Sequence, residues 1–138
     1  MSRSMTLLIA ALAALVVSTS SAAAQPPEGA PLLKTVPADA ATIETYYKQN
    51  VYDSSDQKIG SIADLLVDRN GLMQAAMVSV GSFLALERKV VAVPFNALQL
   101  REKDREPYLV LDVTKRALKD AATFRYNRKT RAWERVVD

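Results

Sequence analysis

Between Lys58 and Pro94 the chain reads as three short apolar runs, each stopped by residues through which a regular element does not continue. Asp68-Arg69-Asn70-Gly71 closes the first, Gly81 the second and Pro94 the third. With a period of two, the first run places Ile59, Ala63, Leu65 and Val67 on one face and Ile62, Asp64 and Leu66 on the other. The second, Leu72 to Val80, places Leu72, Ala76, Val78 and Val80 on one face and Met73, Ala75 and Met77 on the other. A strand apolar on both faces must be covered on both. Asn70-Gly71 predicts a hairpin between these runs, because both residues tolerate positive φ. Pro94 lacks a backbone donor, so the third strand, with Val91 and Val93 on one side, ends there or lies at an edge.

The flanking sequence extends this pattern. Tyr46 to Tyr52 is β-prone, and Asp53-Ser54-Ser55-Asp56 supplies side chains that bond their own backbone in a turn. Leu98-Gln99-Leu100 and Tyr108-Leu109-Val110-Leu111 form a further hairpin through the charged segment REKDREP. Thr114 is an N-cap for KRALKDAA, with Ala117, Leu118, Ala121 and Ala122 on one helical face. The tail FRYNRKTRAWERV fits a terminal β-hairpin. Short strands at close spacing with a single helix predict an all-β small barrel with one short C-terminal helix.

Ahead of this lies MSRSMTLLIAALAALVVSTSSAAAQ, with Arg3, an apolar run of 11 residues from Leu7 to Val17, and small residues ending at Ala22-Ala23-Ala24. That is the layout of a secretory signal peptide, and the run is short of the roughly 20 residues a spanning helix needs. Cleavage after Ala24 and a periplasmic location are expected. Pro26, Pro27, Pro31 and Pro37 mark residues 25–41 as an extended spacer, leaving 42–138 as the domain with its basic tail.

The chain has no cysteine and no histidine. Disulfides, thiol chemistry and thiolate metal sites are thereby excluded, and the side chain that most often serves as acid, base or metal ligand near neutral pH is missing. Asp53 and Asp56 lack the spacing of a calcium loop and read as turn residues. Asp64 and Asp68, four apart on an extended strand, read as solvent-facing punctuation. No catalytic residue, metal site or cofactor is expected.

Charge is unevenly placed. Residues 25–114 hold 9 basic and 12 acidic side chains, whereas residues 115–138 hold 8 basic and 3 acidic. Arg125, Arg128, Lys129, Arg131 and Trp133 are therefore candidates for an anionic-surface contact, lipid or lipopolysaccharide, against the plainer reading of a solvated face. Export argues against a nucleic-acid partner.

The stretches VYDSSDQKIGSIADLLVDRNG, GSFLALE, VAVPF and TKRALKDAATF together resemble the PRC-barrel domain, named for the cytoplasmic domain of the photosynthetic reaction centre H subunit and shared with a ribosome maturation factor. Tyr46 to Asp53 at the start, and Tyr126, Thr130 and Trp133 at the end, are similar to an exported, single-domain bacterial group. The family loop is commonly G-G-F-L-G; Gly81-Ser82-Phe83-Leu84-Ala85 keeps the apolar pair and lacks two of its glycines. The resemblance implies a macromolecule-binding module without catalytic residues. Phe83, Leu84 and Leu86 either fold back over the barrel mouth or meet a partner. The expectation is a non-catalytic periplasmic adaptor that contacts another protein through this loop or an exposed sheet face. The alternative is an envelope protein that binds anionic surfaces through its cationic tail.

Overall fold

The computed structural model describes residues 29–81 and 88–137. The expected signal peptide and its cleavage site, and the loop residues Phe83, Leu84 and Leu86, lie outside the described residues. Residues 29–36 belong to an N-terminal unit and carry no helix or strand; the unit beginning at Pro37 contains every described element.

After a 3-10 turn at Ile43–Thr45 come β1 (Asn50–Tyr52), β2 (Lys58–Val67), β3 (Met73–Val80) and β4 (Lys89–Pro94). A second 3-10 turn, Phe95–Ala97, leads into β5 (Leu98–Lys103) and β6 (Glu106–Leu111), then α1 (Lys115–Asp120) and the hairpin β7 (Phe124–Asn127) and β8 (Ala132–Arg135). One sheet holds all eight strands in the order β5-β6-β1-β2-β3-β4-β7-β8, antiparallel except for the parallel pair β1 and β6.

The connection from β4 to β5 shows that the sheet curls. These strands are five positions apart in the sheet, which in a flat sheet means about 24 Å. Only residues 95–97 join them, and a link of that length reaches about 14 Å at most. The six strands from β5 to β4 therefore bend round toward each other. Leu98 of β5 and Val91 of β4 accordingly share one core cluster with Val51, Ile62, Val78 and Leu109. Leu118 of α1 is buried in the same cluster. Thr114 caps that helix as expected, its Oγ1 accepting the Ala117 N–H at 3.1 Å, but Ala117 itself is exposed. This β-rich, curled arrangement is the small barrel-like fold that the short strand spacing predicts.

Strict alternation along β2 separates Ile59 from Ile62, yet both are buried in the same cluster. A bulge accounts for the difference, and a second follows it. Val51 faces Gly60 while Tyr52 faces Lys58, leaving Ile59 as the extra residue; Ile62 faces Val78 while Asp64 faces Met77, leaving Ala63 as the next. Each extra residue reverses the facing of those that follow. Past the second bulge Leu65, opposite Ala76, joins the core face, and Asp64 turns to the other side.

That other side is covered as well, as the two-faced apolarity of β3 requires. Met77 is 1% exposed although it lies outside the main cluster. By register it shares its face with Asp64, with Val90 of β4 and, through the Val90–Phe124 pair, with Phe124, Tyr126 and Trp133 of the terminal hairpin. The Trp133 Nε1–H donates to Asp64 Oδ2 at 2.8 Å. Asp64 is thus half-buried and bonded, a correction to its reading as solvent-facing punctuation.

Leu72, expected on the buried face of β3, is 61% exposed. The strand begins one residue later, and the Leu72 N–H is held in the turn by Asp68 Oδ1 at 3.0 Å. Within that turn Gly71 alone has positive φ, at 82°, and Asn70 does not. It is a turn with one left-handed residue, where the Asn-Gly pair had suggested two.

Candidate functional site

Two surface features converge from separate parts of the chain. The first lies on the outer face of β5, β6 and β1. Parallel pairing sets Tyr52 opposite Val110, which brings its ring to that of Tyr108, centroids 5.1 Å apart and inclined at 45°. The β1–β2 turn folds over this pair. Asp56 accepts the Tyr108 hydroxyl, and its other oxygen lies 3.5 Å from Lys103 Nζ. Lys103 Nζ is also 5.9 Å from the Tyr108 ring centre. Gln49, Asn50, Glu106 and Pro107 complete a depression of about 340 Å³.

The backbone around this patch is strained. Asp56 has φ 63°, and Asp104 and Arg105, the two-residue loop between β5 and β6, have φ 54° and 67°. Lys103 faces Glu106 across that loop, and two consecutive positive φ values give the twist a tight hairpin needs. Arginine is a poor occupant of such a position, since its Cβ crowds the following carbonyl. Asp56 is held in place by its turn: its N–H donates to Asp53 O at 3.1 Å, while Asp53 Oδ1 accepts Ser55 N–H at 2.8 Å and Gln57 N–H at 2.9 Å. The Tyr108 hydroxyl first, and Lys103 second, hold the Asp56 carboxyl below its usual value of 3.8. Reciprocally, the Asp56 carboxylate raises the Tyr108 phenol above 10.0.

The second feature is basic. A groove of about 590 Å³ is lined by Arg88, Lys89, Lys119 and Arg125, and adjoins one of about 560 Å³ lined by Arg125, Arg128, Lys129 and Arg135; Arg125 and Val136 belong to both. Lys89 Nζ donates to the Lys119 and Ala121 carbonyls at 2.8 and 2.9 Å. It satisfies carbonyls at the C-terminus of α1 and ties that end of the helix to β4. Among the described residues Glu134 is the one carboxylate lining either groove. Its oxygens accept the Thr130 hydroxyl at 2.8 Å and the Asn127 amide at 3.0 and 3.1 Å. These bonds, Thr130 first, hold its carboxyl below 4.5.

The five anionic-surface candidates separate accordingly. Arg125, Arg128 and Lys129 line the grooves, joined by Arg135, Lys119 and Arg88 from outside the original set. Arg131 is exposed in the β7–β8 turn with φ 55°. Trp133 is committed to Asp64, and its ring packs on Tyr126 at 5.6 Å. Asp53 acts as a turn residue, as expected; Asp68, read as solvent-facing punctuation, is half-buried and its carboxylate holds the β2–β3 turn.

Sequence reasoning missed the tyrosine patch. Tyr52 and Tyr108 are 56 positions apart, and the parallel pairing that unites them leaves no local turn signal. The nearest hint is the period-two placement of Tyr108 and Val110 on one face of β6.

No curated protein matches this chain. A family model does: the PRC-barrel domain matches residues 39–118, which spans β1 to β6 and the start of α1 and stops short of the β7–β8 hairpin. The chain belongs to the PRC-barrel family.

Proposed function

We propose that the protein is a non-catalytic periplasmic binding module, an adaptor that acts by contact with another protein. Membership of the PRC-barrel family supports the coarser part, a small β-barrel module of a kind often engaged in protein interaction. The tyrosine patch carries the finer part. Paired tyrosines in a shallow depression with a charged rim are typical of residues that dominate interface energetics. Here they are held by a turn and a hairpin that place three non-glycine residues, Asp56, Asp104 and Arg105, at positive φ. The groups with displaced titration have structural causes: Asp68, for example, is lowered chiefly by the Leu72 N–H within its turn.

The test is a photo-crosslinking residue placed at Tyr52 or Tyr108 in intact cells, compared with one at the exposed Val67. The expected result is a discrete crosslinked species from the patch and none from Val67. Identical patterns from both positions, or no species from the patch, would remove this reading.

A second reading, contact with an anionic envelope surface, is favoured by one observation. Cations from β4, α1, β7 and β8 line adjoining grooves with, among the described residues, a single carboxylate.

A further inference from the structure

Resting on that second reading, we infer that the joined grooves are a binding surface for net-anionic, phosphate-bearing lipid headgroups. Arg88 and Lys119 stand at one end, Arg125 in the middle, and Arg128, Lys129 and Arg135 at the other. Lys89, bonded to two helix carbonyls, is the fastening that brings Lys119 to the groove and is not itself available to a ligand.

Three observations favour headgroups over other anions. The cations lie along a shallow track instead of converging on one point, which suits a row of phosphates at a surface better than one small enclosed anion. Val136 lies within both grooves and Val137, at the rim of one, is 85% exposed, so an apolar contact adjoins the charge. Such a pairing of cations with an exposed apolar side chain matches the boundary between headgroup and acyl chain. Finally, Trp133 packs on Tyr126 and is tied to Asp64, so its ring is not an open face for a stacked base. Single-stranded nucleic acid draws on such platforms.

Among the described residues the charge geometry also limits competition from neighbouring carboxylates. Glu134 is occupied by Thr130 and Asn127. Asp120, the acidic residue beside Lys119, lies 3.8 Å from Arg116 across one helical turn.

The experiment uses the protein as recovered from cells, with vesicles of phosphatidylcholine alone and of phosphatidylcholine mixed with phosphatidylglycerol. Binding to the mixed vesicles should exceed binding to the neutral ones and fall steeply with added salt, because screening acts over about 8 Å at physiological ionic strength. Arg125→Glu with Arg128→Glu should weaken it by more than about 25-fold, since each cation near an anionic membrane contributes about fivefold and the reversal adds repulsion. Arg69→Glu with Arg101→Glu, a reversal of equal charge away from the groove, should weaken it far less. If the glutamate pair alters the thermal midpoint, Arg125→Gln with Arg128→Gln replaces it, with about 25-fold expected. Equal binding to both vesicle types overturns the second reading and this inference together. Preferential binding that the two double reversals weaken equally leaves the second reading standing and overturns the groove. A single-stranded oligonucleotide that displaces the protein from mixed vesicles at lower phosphate concentration than free phosphatidylglycerol vesicles do overturns the choice of lipid.

Discussion

Asp56 and Gly71 hold the same left-handed position in two turns that are hydrogen-bonded alike. In each, an aspartate begins the turn: Asp53 N–H reaches Gln57 O at 2.8 Å, and Asp68 N–H reaches Leu72 O at 2.9 Å. Each carboxylate accepts the N–H groups two and four residues on. The residue three on donates to the aspartate's own carbonyl at 3.1 Å in both. The β2–β3 turn uses glycine where φ is 82°; the β1–β2 turn uses an aspartate at 63°. A residue with a Cβ is kept there although glycine fits the same turn, and its carboxylate is what meets Tyr108 and Lys103.

Exchanging the two residue types tests whether Asp56 serves stability or the patch. Asp56→Gly should leave the thermal midpoint unchanged or raise it, because it relieves the left-handed backbone while removing only exposed bonds. It should also weaken crosslinking from the tyrosine patch. Gly71→Asp should cost about 1 kcal/mol in urea denaturation, since Asp tolerates this region better than most residues yet still carries a Cβ. A marked fall in midpoint for Asp56→Gly would show that the contact holds the fold together and leave the patch without its argument.

The same contact sets a pH dependence with two arms. The Asp56 carboxyl is lowered in the fold, so its contribution is complete above about 3.8 and is lost as pH falls through the lower folded value. Tyr108 is raised, so its contribution is complete below about 10.0 and is lost as pH rises through the higher folded value. Tyr108→Phe should flatten both the acid and the alkaline arms of a plot of thermal midpoint against pH. Profiles of parent and variant that superimpose at both ends would mean that the hydroxyl and carboxylate do not meet in solution.

Legibility from sequence followed the range of the interactions. The turns at Asp53 and Asp68 are made by neighbours within four residues, and their short polar side chains announce them. The end of β4 at Pro94 is likewise local, and the close spacing of the short strands pointed to the barrel. The bulges at Ile59 and Ala63 were not legible, because a bulge is defined by the partner strand's register and β2 alone reads as unbroken alternation. The tyrosine patch depends on the non-local β1–β6 pairing. The groove was half legible: the tail's charge is plain in its composition, but Arg88 and Lys119 join it only because β4 pairs with β7 and Lys89 fastens the end of α1.

Trp133 joins the terminal hairpin to β2 across sheet positions that a flat sheet would hold far apart. Removing only its N–H, by Trp133→Phe, keeps most of the ring burial and leaves the half-buried Asp64 with the Leu65 N–H as its remaining bond. The expected loss is about 1–2 kcal/mol, from one bond to a charged acceptor and its incomplete replacement by water. A urea midpoint equal to that of the parent would show that the hairpin lies over Met77 without this bond. Protection of the Met77 amide from hydrogen exchange would then have to come from the rings alone.

Gly60 gives the sharpest steric test of the barrel. It stands in a row that runs from Leu109 through Val51 and Gly60 to Val80, where the other three side chains are fully buried. A Cβ built on Gly60 would lie 2.2 Å from the Ser79 carbonyl oxygen and 3.0 Å from its carbon. Those are backbone atoms of the neighbouring strand, so relief requires moving the β2–β3 ladder beside the first bulge. Gly60→Ala should therefore destabilise by about 1–3 kcal/mol or more, as overpacking does in rigid cores. Gly81→Ala is the matched control: its Cβ would meet Arg88 at 3.4 Å, an ordinary contact, and its urea midpoint should stay close to that of the parent. If Gly60→Ala denatures with the midpoint of Gly81→Ala, the strands do not approach as closely as this register requires, and the curled sheet is drawn too tightly at β2.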